Sequence, residues 1–350
     1  MQEPFYNYYN GAYFNSGYNK EMVEEMQRRA LLVNEAKQEK KEIKKLGNYV
    51  ALAVVAFLAM QYAVAFFVMF TGTQQLYSSS NIYQYGINII GSSFLGVLLP
   101  FAVLALANKK KYKEPAVPLQ QVGAFNTALW VCFGMLVCVA ANYVTSGVIQ
   151  LFRVFGYQLT QSDSLQPDSV FSSVIYVIAI AFMPAICEEL AMRCFALGLL
   201  KNYGKAFGVV AVSMVFGLLH GNVIQFVFAT IVGLGLGYIT VKTNSVVPAM
   251  LVHGFNNSMS AVQAIVGYYA GDSVSEKALV ILYTVWIALG IAAGIVLLLK
   301  KQFKIKREEK AYNPYALTLG QKLSSFFFVP GMILPAICLL YLTVTSVEKI

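Results

Sequence analysis

Six polar side chains in otherwise apolar stretches are the residues of this 350-residue chain that could do chemistry: Glu188, Glu189, Arg193, His220, His253 and Asn257. His220 and His253 are the only two histidines in the sequence. On insertion scales a charged Asp, Lys or Arg at the centre of a membrane helix costs roughly 3 kcal/mol, so such groups mark functional sites by default. Glu189 and Arg193 are spaced i,i+4, as are Phe216 and His220, and His253 and Asn257, so each pair shares a helix face. Glu188 and Glu189 are neighbours, about 100° apart round a helix, and point in different directions. Arg193 is placed to neutralise Glu189, which leaves Glu188 to face something else as a candidate proton acceptor. Each residue also has a structural reading. The histidines and Asn257 can hydrogen-bond neighbouring helices, the Glu-Glu-Arg group can be an ion pair, and Phe216 reads as packing.

The elements that must position these groups are membrane helices. The chain is 58% hydrophobic and only 12% charged, and runs of about twenty apolar residues recur, each long enough to cross roughly 30 Å of hydrocarbon. A membrane barrel would alternate in segments of about ten, so the fold class is an all-α, polytopic transmembrane bundle. Nine spans are expected: Gly47–Phe70, Gly86–Ala107, Ala124–Gln150, Val170–Ile186, Ala206–His220, Val223–Val241, Val246–Tyr268, Ala278–Leu299 and Ser324–Thr345. They divide the chain into a cytoplasmic N-terminal region (1–45), peripheral helices (46–168), a polar-motif core (169–268) and C-terminal helices (269–350). Counted from the lysines at 1.5 Å per residue, His253 lies shallow and His220 deeper, so convergence on Glu188 requires tilt or a break at Pro184 or Gly221.

Lysines follow every second span. Lys40–Lys45, Lys109–Lys113, Lys201, Lys205, Lys242 and the cluster 300–310 fall on one side, while the loops 71–85, 160–169 and 269–277 are neutral or acidic. The positive-inside rule makes that side and the N-terminus cytoplasmic, with a cell-membrane location. The net charge of +9 is then accounted for by orientation, and no nucleic-acid partner is expected. Residues 1–19, rich in Tyr and Asn, read as disordered, and 20–45 as a charged helix with Glu24–Arg28 and Glu25–Arg29 pairs. The five cysteines, Cys132, Cys138, Cys187, Cys194 and Cys338, have no metal or disulfide spacing and read as small buried hydrophobes. Gly233 and Gly237 give the GxxxG spacing of close helix packing.

Three motifs in order, Glu188-Glu189-Leu190-Ala191-Met192-Arg193, Phe216 to His220 and His253 to Asn257, resemble the EExxxR, FxxxH and HxxxN motifs of the CPBP family. These are the CAAX prenyl endopeptidases of the Rce1 type and their bacterial bacteriocin-processing and self-immunity relatives. The likeness covers roughly residues 170–268. Many relatives have Phe-Arg-Gly where this chain has Met192-Arg193-Cys194.

The resemblance implies an intramembrane endopeptidase acting on a membrane-associated peptide or protein in the lipid bilayer. Glu188 with His220 would activate water, His253 with Asn257 would hold the oxyanion, and Glu189 and Arg193 would support the catalytic helix or the substrate. No cofactor is preferred. The family is also described as metalloproteases, and zinc held by Glu188, His220 and His253 is the alternative, although HExxH is absent. A non-catalytic membrane protein of the same fold, an immunity scaffold or transporter-like ligand binder, is the rival class. The sequence leaves the substrate and the oligomeric state open.

Overall fold

The computed structural model describes residues 20–160, 166–305 and 313–350. The Tyr/Asn-rich segment 1–19, residues 161–165 of the 160–169 loop and residues 306–310 of the 300–310 lysine cluster lie outside the described residues. The described chain is helical: α1 (Lys20–Phe70), α2 (Gln74–Ser79), α3 (Asn81–Ala107), α4 (Ala124–Val154), α5 (Val170–Tyr203), α6 (Lys205–Leu218), α7 (Val223–Thr243), α8 (Val247–Ala270), α9 (Asp272–Leu299), α10 (Leu319–Phe327) and α11 (Pro330–Thr345). A short antiparallel ladder, β1 (Tyr157–Leu159) against β2 (Val347–Lys349), pairs Gln158 with Glu348.

Six helices among the described residues are long and apolar enough to cross a membrane, or seven if α10 and α11, bent by 82°, form one span. The nine expected segments fall on helices, but three do not qualify alone: Ser324–Thr345 is split between α10 and α11, and α6 and α8 fall short. The 14-residue α6 rises only about 21 Å, short of a bilayer. The 24-residue α8 is long enough but is not among the six, since it carries His253, Asn256, Asn257 and Ser258. The charged segment and the first span fuse into the single helix α1, and the fourth span runs past the Glu-Glu-Arg motif to Tyr203.

Charge pairs gather the lysine-bearing ends. Glu39 binds Lys322 at 2.7 Å, Glu42 binds Lys111 at 2.7 Å and Glu114 binds Lys201 at 2.6 Å. The Lys201 ammonium holds the Glu114 carboxyl below its ordinary value. At the other end Tyr268 donates to the Asp168 carbonyl, and Val223 N–H donates to Ser346 Oγ beside the β ladder. Large apolar side chains such as Phe66, Phe70, Leu106, Leu299 and Phe328 face outward, as in a bundle whose solvent is lipid.

Two of the four buried clusters among the described residues are the largest. One joins α1, α3, α5, α6, α10 and α11, and the other joins α4, α7, α8 and α9. The α6–α7 hairpin connects them. A Cβ on Gly233 would lie 3.1 Å from Ser213, and one on Gly237 would lie 3.1 Å from Val209. The GxxxG pair therefore seats α7 on the i,i+4 face of α6. Of the cysteines, Cys138, Cys187 and Cys194 are buried, whereas Cys132 is half-buried and Cys338 is exposed on the outer face of α11, where lipid serves a thiol as well as protein does. A Gly233→Val change is expected to lower stability by about 1–3 kcal/mol through overpacking. Gly86→Ala, whose Cβ meets open space, should leave the detergent melting temperature unchanged or slightly raised.

Candidate active site

The Glu-Glu-Arg motif lies in an irregular stretch of α5. A regular turn, Met183–Glu189, is flanked by two π-helical segments, Ile178–Phe182 and Leu190–Ala196. In both, the backbone reaches five residues back: Met183 N–H donates to Ile178 O, and Leu197 N–H to Met192 O. Single π turns inside α-helices occur frequently at functional sites. Pro184 supplies a local cause, because it has no N–H for the carbonyl four residues back, which is that of Ile180. That carbonyl receives Asn257 Nδ2 from α8 at 3.0 Å. In the second segment, the Phe195 carbonyl receives the Tyr112 hydroxyl at 2.9 Å.

The two glutamates part company. Glu189 is fully buried, with Arg193 Nε 3.1 Å from Oε2 and His253 Nδ1 3.0 Å from Oε1. The Arg193 contact is an ion pair without hydrogen-bond alignment, and Nη1 and Nη2 have no acceptor among the described residues. The guanidinium instead lies over the Phe216 ring, 4.8 Å from its centroid. A desolvated cation over an aromatic face recovers part of what the missing acceptors would supply. Glu188 keeps 20% of its side chain exposed, and its Oε2 stands 3.9 Å from His253 Nε2.

His220 lies in the turn after α6 rather than on the helix, and the chain there turns at Gly221 with φ +65°. Glycine adopts this left-handed conformation at little steric cost, so α6 and α7 form a hairpin with His220 at its tip. Nδ1 stands 2.8 Å from the Phe216 carbonyl. A carbonyl only accepts, so Nδ1 carries the hydrogen and Nε2 of the neutral ring keeps its lone pair. The Phe216 ring meets both histidines edge-on, 5.0 Å from His220 and 6.1 Å from His253. Phe216 is thus the shared platform of the histidines and Arg193, a role beyond the packing its sequence position predicts.

A cavity of about 130 Å³ is lined by Glu188, His220 and Phe216, whereas His253 and Asn257 are not among its lining residues. Gln61 of α1 and Ser92 and Ser93 of α3 also line it. None of these three belongs to a sequence motif, and the only signal they give is the polar interruption of a Gln and a Ser pair in mid-span. Asn257 donates to Ile180 and accepts from Asn256 Nδ2 at 3.2 Å, so its amide orientation is fixed.

Nδ1 of His253 is engaged by Glu189 and Nδ1 of His220 by a carbonyl, which leaves Nε2 as the free nitrogen of each ring. Among the described residues no three His, Cys, Asp or Glu side chains stand close enough to share one ion.

Glu189→Gln should destabilise the protein by about 3–5 kcal/mol, because it strands the buried guanidinium. Replacing Arg193 by Met in the same chain should recover part of the loss, read as a rise in detergent melting temperature over the single variant.

Residues 170–259 match the family model described as Rce1-like, type II CAAX prenyl endopeptidase Rce1-like. No curated protein and no solved structure gives a significant match. The match begins at the first residue of α5 and ends in α8, so it contains all three polar motifs. Residues 170–259 therefore belong to the Rce1-type CPBP family of peptidases.

Proposed function

We propose that the protein is an intramembrane endopeptidase that cleaves a membrane-associated peptide with a carboxylate-activated water. The observation that carries this reading is the division of labour between the glutamates. Glu189 is sealed between Arg193 and His253, while Glu188 is open to the cavity that His220 also lines. A water there has two acceptors for its hydrogens, the Glu188 carboxylate and the bare Nε2 of His220. That leaves an oxygen lone pair for the substrate carbonyl.

The step balances without an external reagent. The water oxygen bonds to the carbonyl carbon, Glu188 takes one of its protons, and the carbonyl oxygen becomes an oxyanion. Collapse breaks the C–N bond, and Glu188 returns the proton to the departing amine. His253, whose Nδ1–H is held by Glu189, stabilises the oxyanion from Nε2 in its protonated form. One hydrogen of Asn257 Nδ2 is held by Ile180, and the other is assigned as the second donor. No step is routed through a metal.

The lysine-rich end tied together by Glu39, Glu42 and Glu114 is assigned to the cytoplasm of a cell membrane, by the positive-inside rule.

Purified protein in detergent, offered a panel of membrane-tethered peptides, should cleave at least one of them with or without a strong chelator. Glu188→Gln and His220→Ala should each abolish turnover while keeping the wild-type melting profile. Intact turnover in Glu188→Gln, or stoichiometric metal whose removal stops cleavage, would overturn the mechanism. Asn257→Ala should lower kcat by roughly 10²–10³ with little change in KM, the usual loss of one oxyanion donor. A loss of folded protein without that fall in kcat would reduce Asn257 to its bond with Ile180.

A further inference from the structure

We infer that Gln61, Ser92 and Ser93 are substrate-positioning residues, which hydrogen-bond the backbone of an extended peptide segment presented to Glu188. The inference rests on the peptidase reading above and concerns helices outside the family-matched residues 170–259.

All three line the cavity that holds Glu188 and His220. None has a side-chain hydrogen bond among the described residues. For serines in a membrane helix this is unusual within the same molecule. Thr145, Ser213, Thr240, Thr243, Ser258 and Thr343 each donate to the carbonyl four residues back. Ser92 and Ser93 lie in the long π-helical stretch Asn88–Leu98, where backbone bonds reach five residues back, as from Leu99 N–H to Phe94 O. Ser93 is only 7% exposed and lines the cavity, so its hydroxyl, which is not wholly buried, has that cavity in place of a protein partner. Such a group is costly to leave unpaired, and the amide of Gln61 beside it adds a donor and an acceptor. Gly96 makes room for that amide, since a Cβ there would lie 3.3 Å from Gln61 Nε2.

Donors and acceptors of both kinds, lining one cavity with a proton-accepting carboxylate, match the alternating N–H and C=O groups of a peptide backbone. A transmembrane helix has those groups already satisfied internally. The ligand that fits is therefore a locally unwound stretch, and the three residues select for unwinding near the scissile bond.

The test uses full-length protein and one peptide from the cleaved panel, made with either Gly-Pro or Leu-Leu beside the scissile bond. Gln61→Leu and Ser93→Ala should each raise KM roughly threefold to tenfold with a smaller change in kcat, and their combination should multiply the effects. Ser93→Thr, which keeps the hydroxyl, should restore KM. Melting temperatures should stay level or rise, because neither side chain gives up a protein partner. The Gly-Pro peptide should be preferred by wild type, and the preference should shrink in the double variant. Unchanged KM in both single variants, with wild-type protein active, would overturn the inference and leave the peptidase reading standing. If wild type neither cleaves nor binds any peptide of the panel, both fall together.

Discussion

The buried carboxylate of Glu189 is the interaction on which the site depends. A fully desolvated carboxylate is tolerated only with compensating charge and hydrogen bonds, and here both come from fixed directions. Arg193 approaches from one turn along the same helix, and His253 approaches from α8 at 3.0 Å. The arrangement fixes the rotation of α5 relative to α8. Once Glu189 is turned inward to meet them, its neighbour Glu188 must point about a quarter-turn away, and that direction is the cavity. One carboxylate is spent on architecture and leaves the other available to a ligand.

The helix that carries this pair is not regular, and its irregularity is shared with its neighbours. Pro184 withholds a donor from the Ile180 carbonyl, and Asn257 supplies one from outside. Tyr112 does the same for Phe195 beyond the motif. A membrane interior has no water to satisfy such carbonyls, and at these two places a side chain from outside the helix supplies a donor. The same donors cross-link α5 to α8 and to the loop after α3. Backbone irregularity and tertiary packing are one problem solved once.

The hairpin α6–α7 brings in the remaining histidine. Glycines seat the two helices closely, and the turn at Gly221 leaves His220 at the tip with its Nδ1 tied to the Phe216 carbonyl. The Phe216 ring then meets Arg193, His220 and His253 together. One aromatic platform thus registers groups from α5, the α6–α7 turn and α8. Two of the helices that do not qualify as spans by length or hydropathy, α6 and α8, deliver the histidines. Polarity needed for chemistry is what disqualifies α8 from the apolar spans.

Hydropathy and motif spacing by themselves determined that this is a helical membrane bundle, that Arg193 is matched to Glu189, and that the polar groups belong to four successive helical segments. Periodicity along one helix is a local property, so i,i+4 partners are readable from the chain alone. The partner of His253 was not readable. Its spacing to Asn257 gives a face but no opposing group, and only the packing of α8 on α5 decided that Nδ1 meets Glu189. The turn at Gly221 was readable as a break between two apolar runs, but not that His220 itself leaves the helix and stands at the tip. Gln61, Ser92 and Ser93 stand in no motif of the first two spans, and only the fold sets them on one cavity with Glu188. Convergence of residues about a hundred positions apart depends on interhelical contacts, and those are fixed by side-chain shape and buried charge rather than by any pattern within one segment.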